Sequence, residues 1–512
     1  MSTEQITPEL DLEQVRAQLD AARGKAFWRS LDDLADAPAF RDLVEREFPQ
    51  GASEMGDSVN RRTFLKMMGA SLALAGVTGC TYQPRQYIAP FDRAPQNRVP
   101  GVALYYASSV SIGGYGAGVL VKSHDGRPTK IEGNPRHPAS LGATDIFTQA
   151  SLLQMYDPDR SQQVLERGQP SSYNNFLSVL GNAMTGQAAS GGAGLRLLSE
   201  TITSPTLQAQ LNELLQRYPS ARWYQYEPIN RDNVREGGQL AFGADVDTRY
   251  DLSKAKVIVA LDADFLAPGP SFLAYARAFG RGRKVTKETQ ETNRLYVVEA
   301  SPSTTGAAAE HRLAVQARKI DSFARLIAQQ LGLGSGPAVG VSFNEAEQRW
   351  ATAVAEDLEA NRGECVVLVG DQQPAALHAL AHAINAELGN VGETVLYIDP
   401  VAARPTNQVN DLAQLLRELS EGAVETLVII GGNPAYNAPG DLPFAAQLAN
   451  ARLSVHLSLY NDETSQLSSW HIPAAHLLET WSDLKCFKVF YTNLQPKLFA
   501  LNWFLEICNQ IS

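Results

Sequence analysis

The chain has 512 residues, 44% hydrophobic and 19% charged, which is more than one hydrophobic core usually supports and predicts two to four ordinary globular domains. A formal net charge of −11, with no basic stripe interleaved with aromatics, excludes a nucleic-acid surface and predicts no nucleic-acid partner. The four cysteines, Cys80, Cys365, Cys486 and Cys508, lie too far apart for any C-x-x-C pair, so they offer no zinc or iron–sulfur ligand set.

Residues 1–59 keep helical spacing at Leu12, Val15, Leu19 and Ala22, and Asp36-Ala37-Pro38 opens a second helical run, which predicts a folded or partner-bound helical extension. In residues 60–80 the pair Arg61 and Arg62 precedes Phe64, Leu65 and Lys66, and thirteen mostly small or apolar residues follow. This is the layout of a twin-arginine export signal. The apolar run is shorter than the roughly 20 residues a membrane helix needs, but it suits a signal h-region. It ends in Val77-Thr78-Gly79-Cys80, a lipoprotein-type processing pattern in which Cys80 is acylated. One acyl chain binds only marginally, so lasting attachment needs further acyl groups or a membrane partner. The competing reading is a core helix behind a chance basic pair. The expected location is the periplasmic face of the cytoplasmic membrane. Twin-arginine export carries proteins already folded, commonly around a cofactor or partner, which directs attention to a cofactor-type fold downstream.

Residues 81–138 predict a small β-rich domain: a proline- and arginine-rich linker to about residue 101, then short strands at 102–108, 117–122 and 128–131. The run Gly113-Gly114-Tyr115-Gly116-Ala117-Gly118 leads into a strand. A phosphate-cradling glycine turn must instead open a helix, so a hairpin is expected. After Arg160, helices alternate with buried strands, the pattern of doubly wound sheets. Strands are predicted at 195–198, 222–226, 257–262, 295–299, 365–370, 394–399, 426–430 and 453–457, and helices at 205–217, 322–331, 374–388 and 411–419. The glycine-rich stretch 334–341 reads as a crossing between lobes. Cys365 falls in an apolar strand and reads as core. Asp262 and Asp264 end a strand where ligand sites gather, and capping serves them equally well. His378 and His382 have metal-compatible helical spacing but no third ligand nearby, which favours two ordinary helix histidines.

Three further segments carry a family resemblance. The first is Gly126-Arg127-Pro128-Thr129-Lys130-Ile131-Glu132-Gly133-Asn134-Pro135 with His137-Pro138, Gly142-Ala143-Thr144 and the stretch from Gln149 to Arg160. The second is Ile430-Gly431-Gly432-Asn433-Pro434, and the third runs from His471-Ile472-Pro473 to Glu479. Together they resemble the molybdopterin oxidoreductase superfamily. The export signal set behind a long extension narrows the resemblance to the molybdopterin-oxidoreductase-like subunit of alternative complex III, a membrane quinol oxidase module. The fold so implied is α/β: the small domain plus two Rossmann-like lobes, one discontinuous over 139–193 and 342–483, with the other, 194–341, inserted in it.

In that family Gly431, Gly432, Asn433 and Pro434 would touch a pterin guanine dinucleotide, and cysteines near the N-terminus would hold a [4Fe–4S] cluster. Here Asp145 follows Thr144, and no cysteine lies between Cys80 and Cys365. Such clusters need thiolates. The segment Ser199-Glu200-Thr201-Ile202-Thr203-Ser204 supplies no convincing metal ligand, and Ser199 and Ser204 read as caps of the helix opening at Pro205. His471 and His476 read as structural. The expectation is therefore a chain with no catalytic residue, no metal, no cofactor of its own and only vestigial pterin contacts. It would be a scaffold beside membrane subunits, an iron–sulfur domain and cytochrome c subunits. The alternatives are a working periplasmic molybdopterin oxidoreductase or a remnant chain. Residues 484–512 depart from the family, which predicts a truncated, split or frame-altered tail with apolar residues in need of a partner surface.

Overall fold

The computed structural model describes residues 99, 101–124, 126–286, 291–334, 336–487 and 490–494. Residues 1–59, the export signal with Arg61, Arg62, Phe64, Leu65 and Lys66, the lipidation candidate Cys80, and Cys508 lie outside the described residues.

The described chain opens with an antiparallel sheet, β1 (Leu104–Ile112), β2 (Tyr115–His124) and β3 (Arg127–Gly133). The glycine run is the expected hairpin: Ile112 pairs with Tyr115, and the two intervening residues, Gly113 and Gly114, have φ of +54° and +83°. A two-residue hairpin loop of this hand needs positive φ at both positions, which glycine adopts without strain. Next come β4 (Leu165–Glu166), β5 (Gln169–Pro170), β6 (Leu195–Ser199), β7 (Arg222–Gln225), β8 (Asp247–Tyr250), β9 (Val257–Leu261), β10 (Arg294–Glu299), β11 (His311–Ala314), β12 (Cys365–Val369) and β13 (Val395–Ile398). The remainder is β14 (Thr426–Ile430), β15 (Leu453–Ser458), β16 (Trp470–Pro473), β17 (Ser482–Cys486) and β18 (Phe490–Leu494).

Two parallel sheets dominate. One has the order β5-β4-β16-β15-β14-β6-β7, parallel from β16 to β7, and the other the order β11-β10-β9-β12. Their strands are apolar on both sides because helices cover both faces. In β9, Val257, Val259 and Leu261 pack with Phe323, Ile327, Val354 and Leu358 of the helices Ile320–Gln330 and Glu345–Ala360, while Ile258 and Ala260 turn to Tyr275 and Phe279 of the helix Phe272–Gly282. The larger sheet repeats this: Leu195 and Leu197 face Phe176, Leu180, Leu211 and Leu214, and Leu198, Leu427 and Ile429 face Leu412, Leu415 and Leu419.

The strand pairings cross the lobe boundaries expected from sequence. β6 and β7, expected in the inserted lobe, hydrogen-bond into the sheet of β14–β16, and β12, expected outside it, pairs with β9. The reason is that β6 finds its parallel neighbour in β14, whereas the glycine-rich stretch at 334–341 joins two helices of the same lobe. The segment from residue 484 also departs from expectation where it is described. β17 pairs with β18, Cys486 and Phe487 are buried, and Phe487 packs on Tyr115 and Val401, so these residues are covered by the chain itself. Among the described residues no helix is long and apolar enough to cross a membrane.

Two glycines test this packing in opposite directions. A Cβ on Gly133 would lie 2.3 Å from the backbone carbon of Gly142, whereas Gly181, inside the exposed face of the helix Tyr173–Ala188, has nothing within 4 Å. Gly133→Ala is expected to cost about 2 kcal/mol or more. Gly181→Ala should stabilise by about 0.5–1 kcal/mol. Urea denaturation midpoints of the two variants read both signs.

Candidate functional site

The order of the larger sheet reverses between β6 and β14, since β7 continues on one side and β15 and β16 on the other. In open α/β sheets, ligands bind outside the carboxyl ends of strands at such a reversal. β14 ends there in Gly431 and Gly432, both left-handed with φ of +69° and +70°. The Gly431 N–H donates to Leu457 O at 3.0 Å. Asn433 is fixed at both ends of its amide: Oδ1 accepts from Thr464 Oγ1 at 2.8 Å and Nδ2 donates to Glu463 Oε2 at 2.7 Å. Thr464 Oγ1 in turn accepts from Ala435 N at 3.0 Å, tying the turn to the helix that follows β15.

β6 delivers Glu200 to the same place. Its Oε2 lies 2.5 Å from where a Cβ on Gly431 would sit, and its Cγ 3.4 Å from where one on Gly432 would. The side chain keeps an open edge to water but is packed round by protein on its other sides. That crowding, reinforced by the charge of Glu227, pushes its pKa up to about 7. Glu227, itself raised by burial, accepts from Thr201 Oγ1. Gln408 spans the pair, donating to Thr201 Oγ1 at 2.8 Å and accepting from Glu227 N at 2.7 Å.

Behind the turn runs a hydrogen-bonded string: Ser161 Oγ to His471 Nε2, His471 Nδ1 to Ser465 Oγ at 2.8 Å, Ser465 Oγ to His456 Nδ1 at 2.8 Å, and His456 Nε2 to Gly432 O at 3.1 Å. A carbonyl only accepts, so His456 donates from Nε2, while its Nδ1 meets Ser465 Oγ and lies 3.4 Å from Asp462 Oδ1. Burial lowers the pKa of His456 against the pull of Asp462, and it brings His471 down to about 4.

The other sequence candidates take structural positions. Asp145 caps the helix Ile146–Tyr156, accepting from Thr148 N at 2.9 Å, so its carboxylate is committed. Ser204 caps the helix at Pro205 as expected, accepting from Leu207 N at 3.0 Å. Ser199 does not: it donates to Glu200 O and accepts from Trp223 Nε1. Asp264 caps the turn at Thr304 and Thr305, and Asp262, with φ of +54°, accepts from the amides of Gln372 and Gln373. His476 Nε2 bonds Ser151 O at 3.0 Å. His378 and His382 are buried, and His382 Nδ1 meets Tyr397 OH at 3.0 Å. Cys365 is buried, its thiol pushed up to about 11 by burial. Among the described residues no group of three or more His, Cys, Asp or Glu is placed to hold a metal.

Sequence reading passed over two residues. Glu200 lay in the segment considered for metal ligands, and its place directly after the strand pattern Leu195-Arg196-Leu197-Leu198-Ser199 was the available signal. Arg231 is buried between modules, 3.1 Å from Asp247 Oδ1, 3.4 Å from Asp371 Oδ2, and over the Phe487 ring at 5.4 Å. Burial opposes its charge, but Asp371, Tyr115 and Asp247 together hold its proton more firmly than usual.

The crevice fits a pterin dinucleotide poorly. A diphosphate entering at Gly431 and Gly432 would have to displace the Glu200 carboxylate from the turn and lie beside Glu227 and Glu463, against like charge at close range.

No family model matches the chain. It is 24% identical over 490 residues to the menaquinone reductase, molybdopterin-binding-like subunit, of Nitratidesulfovibrio vulgaris, covering 86% of this chain and 69% of that protein. Among solved structures it is similar to acetylene hydratase from Pelobacter acetylenicus, with a TM-score of 0.57 at 11% identity, over 79% of this chain and 68% of that one. The fold is thus the mixed α/β fold with parallel sheets seen in molybdopterin enzymes, as expected from the sequence.

The buried histidines predict acid sensitivity. Burial brings His378, His382 and His471 from an ordinary 6.5 to about 4. The unfolded chain therefore binds more protons between these values, so their contribution to stability is present above 6.5 and is lost as pH falls towards 4. Glu200, raised instead, works in the opposite sense and offsets part of this loss. The urea midpoint of the wild type should fall between about pH 7 and about pH 5, with a shallower slope in His378→Asn. A wild-type midpoint that is flat or rises on acidification would contradict the assignment.

Proposed function

We propose that this chain is a non-catalytic, molybdopterin-oxidoreductase-like subunit of a membrane quinone-linked electron-transfer complex of the alternative complex III type. It acts by contact, holding partner subunits in register, and binds neither molybdenum nor an iron–sulfur cluster. The observation that carries the reading is the Glu200 carboxylate lying against the Gly431–Gly432 turn, where a diphosphate would otherwise be received. Likeness to a menaquinone reductase subunit called molybdopterin-binding-like supports the link to quinones, and the pairing of an old cofactor fold with missing thiolates supports a scaffold role. Electrons would pass through clusters on an iron–sulfur domain and through cytochrome c subunits. Arg61 and Arg62 would direct export, and an acylated Cys80 would help keep the subunit on the periplasmic face of the membrane.

Detergent extraction from native membranes, with mass spectrometry of what travels with the chain and metal analysis of the same material, tests each part. Membrane subunits, an iron–sulfur protein and cytochromes are expected to co-purify, the chain should begin at an acylated Cys80, and molybdenum should be far below one atom per chain. Stoichiometric molybdenum with bound pterin would reinstate an active oxidoreductase, and a chain that elutes alone would remove the scaffold role.

A further inference from the structure

We infer that Glu200 is the resident anion of the β6–β14 crevice: its carboxylate holds, from within the chain, the position at which a sheet of this order seats an anionic ligand. The inference deepens the cofactor-free reading above and rests on it.

Four observations converge on this carboxylate. First, only glycine at 431 lets it lie on the turn, since a Cβ there would be 2.5 Å from Oε2. Second, the Gly431 N–H is spent on Leu457 O, and the Glu200 side chain lies against Gly432 as well, its Cγ 3.4 Å from where a Cβ there would sit. Third, both partners are held from behind. Ser199 Oγ donates to Glu200 O at 2.8 Å and is anchored by Trp223 Nε1 at 2.9 Å, while His456 Nε2–H holds Gly432 O at 3.1 Å. Fourth, the carboxylate keeps an edge open to water, so a dissolved anion can reach the turn once the carboxylate is gone. A crevice left by a lost ligand, with nothing in its place, would leave the glycine turn bare. Here a carboxylate from the neighbouring strand lies against it.

The test is calorimetric titration of the full chain with inorganic pyrophosphate in magnesium-free buffer at low ionic strength, comparing wild type with Glu200→Ala. Wild type is expected to give no saturable heat. The variant should bind at least about tenfold more tightly than the wild-type limit, with an affinity that falls as salt is added. A folded Glu200→Ala chain that gains no affinity overturns the inference. Should the variant fail to fold, the wild type alone decides, through the amide shift of Gly432 in 15N-glycine-labelled protein. That shift should titrate with a midpoint near 7 set by the Glu200 carboxyl, and a Gly432 amide that does not move between about pH 6 and about pH 8 overturns the inference. The two levels fail separately. Molybdenum in the wild-type chain removes the cofactor-free reading whatever Glu200 does, whereas a molybdenum-free wild type whose alanine variant gains nothing removes only the role given to Glu200.

Discussion

The constraint from which the rest follows is that both parallel sheets are covered on both faces. A strand such as β9, buried and apolar throughout, leaves its polar chemistry to its ends, and where a buried strand does carry a charge, as β6 does at Arg196, that charge is paired, there with Glu418. The ends of the main sheet are therefore where a carboxylate or a glycine turn meets its neighbours. Glu200, Gly431, His456 and Asp262 all stand at or beside such ends, and in each case another part of the same chain answers them.

The three segments that carry the family resemblance prove to be clamps as much as ligand contacts. Arg160, in the first, makes a two-point ion pair with Glu479, in the third, and Glu479 also accepts from His476 N at 2.9 Å. Asn134 organises the turn that follows β3, its carbonyl accepting from His137 N and Gly142 N, both at 3.1 Å. Gly118 leaves room for the His137 ring, which would lie 2.1 Å from a Cβ. Elsewhere Glu418 gathers Arg196, Arg222 and Tyr224 OH around one buried carboxylate. Removing one partner from such a group leaves an unpaired charge inside the protein.

Much of the fold was legible because buried strands and long amphipathic helices leave strong local patterns. β6, β9, β12 and β14, and the helix Pro205–Arg217, fall within a residue or so of where apolar runs and a Ser-Pro start place them. Lobe membership was not legible, because which strand pairs with which is settled by contacts far apart in sequence, as when Thr426 meets Leu195. Short elements such as β8 and β11, each four residues long, carry too little pattern to stand out. The capping roles of Asp145 and Ser204 follow from local spacing. Glu200 escaped notice because metal ligands are donors to a cation, and the glycine turn it lies against is brought close only by the sheet.

The clamp between Arg160 and Glu479 joins positions 319 residues apart, and β4 likewise waits for β16. Closing so long a loop carries an entropic cost that local contacts cannot offset in advance, and non-local parallel pairing is slow for the same reason. The larger sheet is therefore completed only after most of the polypeptide has left the ribosome, and until then β14 to β16 are missing from its centre. A nascent chain in that state has β4 and β6 without their neighbours β16 and β14, and strand edges left open in this way are where non-native pairing begins.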